Sequence, residues 1–295
     1  MQASIVIVTK NRKSELDFTL ERLYNLIDTT QVEILVLVDG GEDDTSLLEG
    51  KYSAVHWTFL NKSVGASKAR HMLYKQAKGS VLIGFDDDAH PLQADFIKII
   101  SDLFKTNPKV GILAFQEIKG VFKLDAEALA TKPKQDLQFL CSEFVGCGFA
   151  IKKETYFKTR GFPDWVDIYG EESCVSLEVL ANNEKILYTN AVSVNHRVDM
   201  IARKKAGHNY FRFEKQLQNT FYYYLVYYRY PSVKLLKLLY HNFRKYALKD
   251  FTFFKAYVRA IATIILNLPK ILKYRQPVSQ SCIALKNSLP SPIFH

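Results

Sequence analysis

Cysteine is scarce in this sequence, and the spacings of the few that occur fit neither a zinc site nor a dithiol redox site. Cys141, Cys147, Cys174 and Cys282 are therefore expected to be reduced thiols, as is typical of cytosolic proteins. A basic leader with a cleavage site is also missing, because Met1 is followed almost at once by a strand-like run. We therefore expect a cytoplasmic protein without secretory or lumenal targeting.

Glycine-rich phosphate-binding motifs are absent as well. Neither GxGxxG nor GxxxxGK[ST] follows any predicted strand, which disfavours dinucleotide-binding and P-loop chemistry. Long apolar runs are also lacking. Arg259, Asn267 and Lys270 interrupt the stretch between residues 256 and 272, which falls short of the roughly 20 residues needed to cross a bilayer.

Acidic residues are rare in the last third of the chain. Residues 201–295 carry 17 Lys and Arg against 2 Asp and Glu, whereas residues 1–200 carry 23 against 28. A basic segment of this kind indicates a polyanionic partner, either nucleic acid or an anionic membrane surface. Because no nucleic-acid-binding module accompanies it, we expect no nucleic-acid partner and favour the membrane surface.

The sequence does contain β-branched, apolar runs that alternate with helical periodicity. Strands are predicted over residues 4–9, 32–38, 55–59 and 80–85, and a helix is predicted over residues 66–78. Alternation of this kind indicates an α/β fold whose parallel, doubly wound sheet is covered by helices on both faces. The region over residues 113–138 is less informative, and we expect it to contain an edge strand and a charged, mobile connection over residues 119–134.

The predicted strand at residues 80–85 ends in three consecutive carboxylates. Asp86, Asp87 and Asp88 would repel one another and lose hydration, so a divalent cation with oxygen ligands is a natural partner, and a solvated acidic loop is the alternative. Because side chains alternate along extended chain, Asp86 and Asp88 can face one side while Asp87 points elsewhere. Doubly wound sheets bind ligands at the carboxyl ends of their strands, which is where this triplet falls.

Several ordered blocks of the sequence resemble family 2 glycosyltransferases, which are nucleotide-sugar enzymes with the GT-A fold. The blocks are SIVIVTKNR, EILVLVDGGEDDT, NKSVGASKAR, AKGSVLIGFDDDAHP, GCGFAIKKETYFKTRGFPDW, YGEES and a later NH. The resemblance covers about residues 3–198. It implies a GT-A domain over residues 1–198, with a doubly wound mixed sheet flanked by helices, and leaves a basic, aromatic-rich helical extension over residues 199–295.

The resemblance also implies a chemistry and a set of site residues. The reaction would be an inverting transfer from a nucleoside diphosphate sugar, with Mn²⁺ or Mg²⁺ as cofactor. Asp39 would accept from the ring N–H of uracil or thymine, and Arg70 would recognise the diphosphate oxygens. The implied donor-binding residues are Thr9, Asn11, Arg12, Asp39, Gly65, Arg70, Asp86 and Asp87. The implied metal ligands are Asp88, Asp86 and His196.

A second acidic pair, Glu171 and Glu172, follows Tyr169-Gly170. An inverting transfer needs one carboxylate to take the proton from the acceptor hydroxyl, and paired acids suit this work because each raises the pKa of the other. The resemblance favours Glu172 as this base, with Glu171 bonding acceptor hydroxyls or sharing the task. The choice between them stays open, and a capping pair at the start of a helix over residues 173–180 is the alternative.

The extension is predicted to be helical, with interruptions near Pro231 and Pro269. Aromatic side chains with interleaved Lys and Arg suit helices that lie in the headgroup plane of a membrane. The alternative is that these helices pack on the catalytic domain and only expose a basic face.

The sequence thus predicts a cytoplasmic transferase that is peripheral on the inner face of the cell membrane. It would move a sugar from a UDP- or dTDP-sugar to a hydroxyl of a lipid-linked saccharide or a surface polysaccharide precursor. Two alternatives remain: a soluble transferase with a small or protein acceptor, and a catalytically idle nucleotide-sugar-binding or scaffold protein.

Overall fold

A mixed nine-stranded sheet forms the centre of the computed structural model, which describes residues 2–293. The strands are β1 (Ala3–Thr9), β2 (Val32–Val38), β3 (Val55–Phe59), β4 (Val81–Asp86), β5 (Ala89–Pro91), β6 (Val110–Lys119), β7 (Gln138–Leu140), β8 (Gly148–Lys152) and β9 (Lys185–His196). The helices are α1 (Lys13–Leu26), α2 (Leu48–Lys51), α3 (Ala66–Gln76), α4 (Phe96–Thr106), α5 (Asp125–Ala130), α6 (Lys153–Lys158), α7 (Glu171–Ala181), α8 (Met200–Lys205), α9 (Tyr210–Tyr227), α10 (Ser232–Asn242), α11 (Phe251–Leu272) and α12 (Gln280–Ser288).

The strand order is β3-β2-β1-β4-β8-β6-β9-β5, and β7 pairs with β9. The first four strands are parallel, as predicted, whereas β8 runs antiparallel to both β4 and β6. The region over residues 113–138, which was expected to contain an edge strand, instead begins inside the sheet with residues 113–119. These residues belong to β6, which is buried along almost its whole length because β8 and β9 flank it.

Helices cover both faces of the parallel strands, which explains why those strands are apolar at nearly every position. On one face, Ile5 and Ile7 of β1 share a core with Leu16 and Leu20 of α1. On the other face, Val6 joins a core that contains residues of α3. Because alternate residues of a strand point to opposite faces, a strand covered on both sides needs an apolar side chain at every position.

The register of the parallel strands sets the position of the polar residues that follow them. Thr9 pairs with Val38, directly before Asp39, and Val8 pairs with Asp86 at the end of β4. Three polar strand ends therefore meet at one edge of the sheet, which is where the sequence predicts ligand binding.

The C-terminal helices pack on the rest of the chain rather than standing apart from it. Tyr222 and Tyr227 of α9 share a core with Trp165 and with Val175 of α7. The Tyr227 hydroxyl also donates a hydrogen bond of 2.6 Å to the buried carboxylate of Glu178. All four cysteines are buried free thiols.

One of the two predicted interruptions in the extension is confirmed and the other is wrong. The chain leaves α9 before Pro231, whereas α11 continues through Pro269, because Ile264 and Ile271 on either side of this proline are both buried in one core. The helix α11 therefore has 22 residues and mean hydropathy 1.4 over its most apolar window, enough to cross a membrane by length and composition. The shorter apolar length expected from the sequence is thus also wrong.

Candidate active site

A cavity of about 1140 Å³ opens at the carboxyl edge of β1, β2 and β4. Pockets that hold one drug-sized ligand typically measure roughly 300–1000 Å³, so this cavity is larger than most single-ligand sites. The predicted site residues on its wall are Thr9, Arg12, Asp39, Gly65, Arg70, Asp86, Asp87, Glu171 and Glu172.

Asp39 anchors a loop at one end of the cavity. Its carboxylate accepts hydrogen bonds from the Ser63 hydroxyl at 2.7 Å and from the backbone N–H groups of Val64 at 2.7 Å and Gly65 at 3.0 Å. Four lone-pair directions are available on an ionised carboxylate, so one remains for a ligand N–H. Gly65 has φ +91°, and a Cβ there would lie 3.0 Å from Asp167, so a side chain at this position would collide with the opposite wall.

Thr9 and Arg12 hold the acidic triplet from the side of β1. The Thr9 hydroxyl donates to Asp87 at 2.7 Å, and the Arg12 guanidinium lies 3.1 Å from Asp87 and 2.6 Å from Asp88. Burial raises the pKa of Asp87 to about 7, although Arg12 and Thr9 oppose this effect. Asn11 is exposed and does not line the cavity; its side-chain oxygen instead accepts from the backbone of Glu42 at 2.8 Å.

Asp86, Asp88 and His196 form a group that could hold a metal ion, since one potential ligand atom from each lies within 4.8 Å of the others. The Oδ1 atom of Asp88 is buried and has no hydrogen-bond partner among the described residues, although the His196 Nε2 atom lies 3.3 Å away. Two carboxylates and an imidazole are suitable ligands for Mn²⁺, and an orphaned carboxylate oxygen is what a cation would satisfy. The residues present therefore fit a divalent cation.

Glu117, on β6, supports this group and was missed in the sequence. Its carboxylate lies 2.5 Å from the Nδ1 atom of His196, which leaves Nε2 directed at Asp88. Burial lowers the pKa of His196, but the nearby Asp88, Cys147 and Glu117 side chains outweigh this effect and raise the pKa to about 12. A carboxylate behind a metal-binding histidine fixes its orientation and basicity. No sequence motif marks Glu117, since it reaches the site only through the pairing of β6 with β9.

Arg197 is a second residue that sequence reasoning did not identify. Its backbone N–H donates to the carbonyl of Asp88 at 2.9 Å, and its guanidinium donates to the carbonyl of Asp87 at 3.3 Å and to the Thr19 hydroxyl at 2.8 Å. The same guanidinium lies 2.9 Å from Nδ1 of His90, which is buried. Arg197 thus fixes the backbone of the acidic triplet from behind.

Arg70 of α3 connects the acidic triplet with the second acidic pair. Its guanidinium forms a short ion pair with Asp86 and lies 3.5 Å from Glu171 and 3.4 Å from Glu172. The Arg70 side chain is only 11% exposed, and it also lies over the ring of Phe162. One buried cation therefore lies close to three carboxylates and offsets their mutual repulsion within the cavity.

Glu171 and Glu172 begin α7, directly after Gly170 in the left-handed conformation. Glu171 is buried and its Oε2 atom has no hydrogen-bond partner among the described residues, whereas the Glu172 side chain is 23% exposed. Burial and the neighbouring Glu172 raise the pKa of Glu171 to about 8, although Arg70 opposes this effect. Gly146 lies so close to this pair that a Cβ there would meet the Glu172 carboxylate at 2.3 Å. Glu172 is the more accessible of the two from the cavity.

The far wall of the cavity comes from the C-terminal extension, which sequence reasoning had treated separately. Phe211, Arg212, Gln216 and Thr220 of α9 line the cavity together with Tyr169. The Arg212 guanidinium lies 5.0 Å from the centre of the Tyr169 ring. No local motif could have shown this, because the contact depends on how α9 folds back.

Comparison with known families gives one match: the family described as glycosyl transferase family 2 matches residues 4–158 of the chain. No curated protein matches the chain in sequence.

Several solved structures share the fold. Residues 1–349 of S. aureus TarS in complex with UDP-GlcNAc align with TM-score 0.61 at 16% identity, covering 93% of this chain and 84% of that one. The mannosyltransferase PcManGT from Pyrobaculum calidifontis, in complex with GDP-Man and Mn²⁺, aligns with TM-score 0.56 at 15% identity, covering 98% and 76%. GalNAc-T7 with UDP, GalNAc and Mn²⁺ aligns with TM-score 0.61 at 16% identity, covering 92% and 57%. The expected GT-A fold is thereby confirmed.

Proposed function

The chain belongs to glycosyl transferase family 2, and from this premise we propose that it moves a sugar from a UDP- or dTDP-sugar to an acceptor hydroxyl with inversion. The observation that carries the proposal is the joint position of two acidic groups on one cavity, Asp86 and Asp87 of the acidic triplet and the Glu171–Glu172 pair, with Arg70 between them. The acidic triplet is suited to bind a cation together with a diphosphate, and the glutamate pair is suited to transfer a proton.

The donor would lie along the carboxyl edge of β1, β2 and β4. Asp39 keeps one lone pair for a ring N–H of the base, and Arg12 and Arg70 supply cations for the diphosphate. Asp88, Asp86 and His196 would hold Mn²⁺ or Mg²⁺, which supplies Lewis-acid stabilisation of the diphosphate leaving group. The Mn²⁺ complexes of PcManGT and GalNAc-T7 support this assignment.

Glu172 would act as the general base. It accepts the proton of the acceptor hydroxyl while that oxygen bonds to the anomeric carbon, and the bond from this carbon to the diphosphate breaks on the opposite face. Both glutamates line the cavity, but the Glu172 side chain is 23% exposed against 4% for Glu171, so Glu172 has the easier access to the acceptor oxygen. Glu171, whose pKa is raised by burial, is suited to donate a hydrogen bond to the acceptor while it stays protonated.

We further propose that the acceptor is a lipid-linked saccharide or a surface polysaccharide precursor at the inner face of the cell membrane. Support comes from the extension, whose α9 lines the cavity. The same extension accounts for all of the net positive charge, since residues 201–295 carry 17 Lys and Arg against 2 Asp and Glu and residues 1–200 are net negative.

A thermal-shift screen of nucleotide sugars, with and without Mn²⁺, tests the donor and metal assignments, because a ligand that binds only the folded state raises its melting temperature. We expect UDP- or dTDP-sugars to raise the melting temperature in the presence of Mn²⁺. The Asp88→Ala variant should lose the effect of Mn²⁺, and a control with Asp44→Ala, at an exposed acid outside the cavity, should keep it. The same shift without Mn²⁺ and in Asp88→Ala would contradict the metal site.

A further inference from the structure

Two faces of α11 have different surroundings. Ala256, Ala260 and Phe253 are buried against a cluster that includes Phe213 and Leu217 of α9. The opposite side of α11 also bears large apolar residues, but these face solvent. Phe251 is 70% exposed, Val258 49% and Ile265 64%. The helix is thus apolar on two sides, and only one of them is covered by the described residues.

The exposed apolar residues form one stripe. Phe251, Phe254, Val258, Ile265 and Leu272 follow one another at intervals of three, four, seven and seven residues, which keeps them on one side of an α-helix. Helix α10 adds exposed apolar residues of its own, among them Leu236 at 67% and Tyr240 at 62%. Monomeric soluble proteins rarely expose contiguous apolar patches of this kind without an interaction partner.

Positive charge accompanies the stripe. Residues 229–275 contain 11 Lys and Arg and a single acidic residue, Asp250. Asp250 caps α11 by accepting from the backbone N–H groups of Thr252 and Phe253, so its carboxylate is already committed. Lys255 and Arg259 lie one residue beyond Phe254 and Val258, which places them along the edge of the stripe.

We propose that this stripe, with Lys255 and Arg259 beside it, is a docking face for an anionic lipid bilayer, on which α11 lies in the headgroup plane. An apolar face bordered by basic residues is what interfacial helices present, and each Lys or Arg near an anionic surface adds to the attraction. A spanning orientation disagrees with the packing, because one side of α11 already contacts α9 and Arg259 pairs with Glu214 at 3.0 Å. The face gives a physical basis for the membrane location in the proposed function.

Vesicle flotation of the full-length chain tests this face without any assay of activity. The chain should float with vesicles of phosphatidylcholine and phosphatidylglycerol at low salt, bind them less at high salt, and not float with phosphatidylcholine alone. The double variant Val258→Glu/Ile265→Glu should lose at least tenfold in vesicle affinity. The matched control Leu47→Glu changes a residue that is 65% exposed elsewhere on the surface, and it should bind like the wild type.

The docking face would be disproved if the wild type did not float with the vesicles, or if the double variant floated as well as the wild type. It would also be disproved by a dimer in vesicle-free solution that the double variant abolishes, since the stripe would then be a contact between two copies. Transfer to a soluble acceptor is measured in parallel. If the chain is active but does not float, the docking face is disproved and the proposed transferase activity stands.

A separate observation concerns the loop that leads into the catalytic pair. Tyr169 has φ 70° and Gly170 has φ 102°, so the loop takes a left-handed turn directly before Glu171. A non-glycine residue in this conformation is strained and persists only where its surroundings hold it. The side-chain amide of Asn219, on α9, donates to the carbonyls of Ile168 at 2.7 Å and Tyr169 at 2.9 Å. Asn219 is 5% exposed, so water does not replace these bonds easily.

We infer that Asn219 is a positioning residue, through which the C-terminal extension holds the turn that delivers Glu171 and Glu172 to the cavity. Lys215, one turn earlier on α9, strengthens the contact by binding Asp167 of the same loop at 2.6 Å. The expected effect on catalysis rests on the proposed function, whereas the expected effect on the loop before Glu171 rests only on these hydrogen bonds.

The test compares Asn219→Ala with Gln218→Ala, a matched change at the neighbouring buried residue, whose side-chain amide donates a hydrogen bond of 3.4 Å to Glu214 of the same helix. A small displacement of a catalytic group can cost on the order of 100-fold in rate, so Asn219→Ala should lose about that much in kcat while the donor KM and nucleotide binding stay unchanged. Gln218→Ala should keep its kcat. Hydrogen exchange at residues 165–172 should accelerate in Asn219→Ala alone.

Unchanged exchange in this loop would overturn the inference whether or not turnover is observed. Equal losses of kcat in both variants would also overturn it, since the effect would then be a general one of destabilising α9. A wild-type chain that never turns over would contradict the proposed function, and the exchange measurement would still decide the role of Asn219.

Discussion

Arg70 offers the sharpest test of the electrostatics of the site, because one side chain serves three acids. The change Arg70→Met keeps most of the volume of the side chain and removes its charge. Asp86, Glu171 and Glu172 would then share the cavity without the cation that now lies between them. Arg12 cannot replace it, since its guanidinium is bound to Asp87 and Asp88.

Removing one partner of a buried ion pair costs roughly 3–5 kcal/mol, because the remaining charge stays buried without compensation. The Asp86 side chain is 33% exposed and that of Glu172 23%, so water will hydrate part of the charge. We therefore expect a loss of about 3 kcal/mol, near the lower limit of that range. The entropy of unfolding is roughly 2.1 cal/mol/K per residue, so for 295 residues this loss corresponds to a decrease of about 5 °C in melting temperature.

The loss should depend on pH. The pKa of Glu171 in the folded protein is raised to about 8, so its carboxyl is protonated at pH 6, and the stability that this proton provides is lost as the pH rises through 8. Arg70 limits that loss of stability, because its positive charge favours the ionised form of Glu171. Its removal raises the folded-state pKa of Glu171 further, so the variant should lose more stability relative to the wild type at about pH 9 than at about pH 6.

Chemical denaturation of the wild type, Arg70→Met and the double variant Arg70→Met/Glu171→Gln at these two pH values measures the effect. The double variant should recover part of the loss, mainly at the higher pH, because it lacks one of the uncompensated acids. An equal loss at both pH values, or no recovery in the double variant, would refute the electrostatic explanation.

Three further predictions concern other parts of the chain. Gly79→Ala should destabilise the fold by roughly 1–3 kcal/mol in a denaturation experiment, because the new Cβ would lie 2.4 Å from the carbonyl carbon of Ala3, whereas Gly50→Ala, at a site with open space, should not. Glu117→Gln should weaken Mn²⁺ binding by about 10–100-fold in a calorimetric titration, since it loosens His196; an unchanged affinity would disprove that role. All four buried cysteines should react with a thiol reagent only in denaturant, so fast labelling of the folded chain would contradict their burial.

The sequence was most informative where structure is local. The strands at residues 32–38 and 55–59 were predicted with the bounds that the structure shows, because β-branched runs bounded by polar residues are a local signal. The position of Asp86–Asp88 beside Asp39 also followed, since parallel strands bring their carboxyl ends to one edge.

Residues supplied by distant pairing could not be predicted in this way. Glu117 lies behind His196 only because β6 pairs with β9 in a register that shifts between Phe115 and Gln116. Arg197 and Asn219 bind backbone carbonyls, and such contacts have no sequence signature. The error at Pro269 has a similar cause, since the burial of the turns on both sides of it outweighs the lost hydrogen bond.

If Glu172 takes the acceptor proton in a nucleotide-sugar transferase, its role is tested most directly by the turnover of Glu172→Gln against the wild type and Glu171→Gln. With a donor and Mn²⁺ identified by thermal shift, Glu172→Gln should lose about 10²–10⁴-fold in kcat while its nucleotide affinity is unchanged. Glu171→Gln should lose less, because it still offers a hydrogen bond. A Glu172→Gln variant that transfers sugar at the wild-type rate would contradict this role.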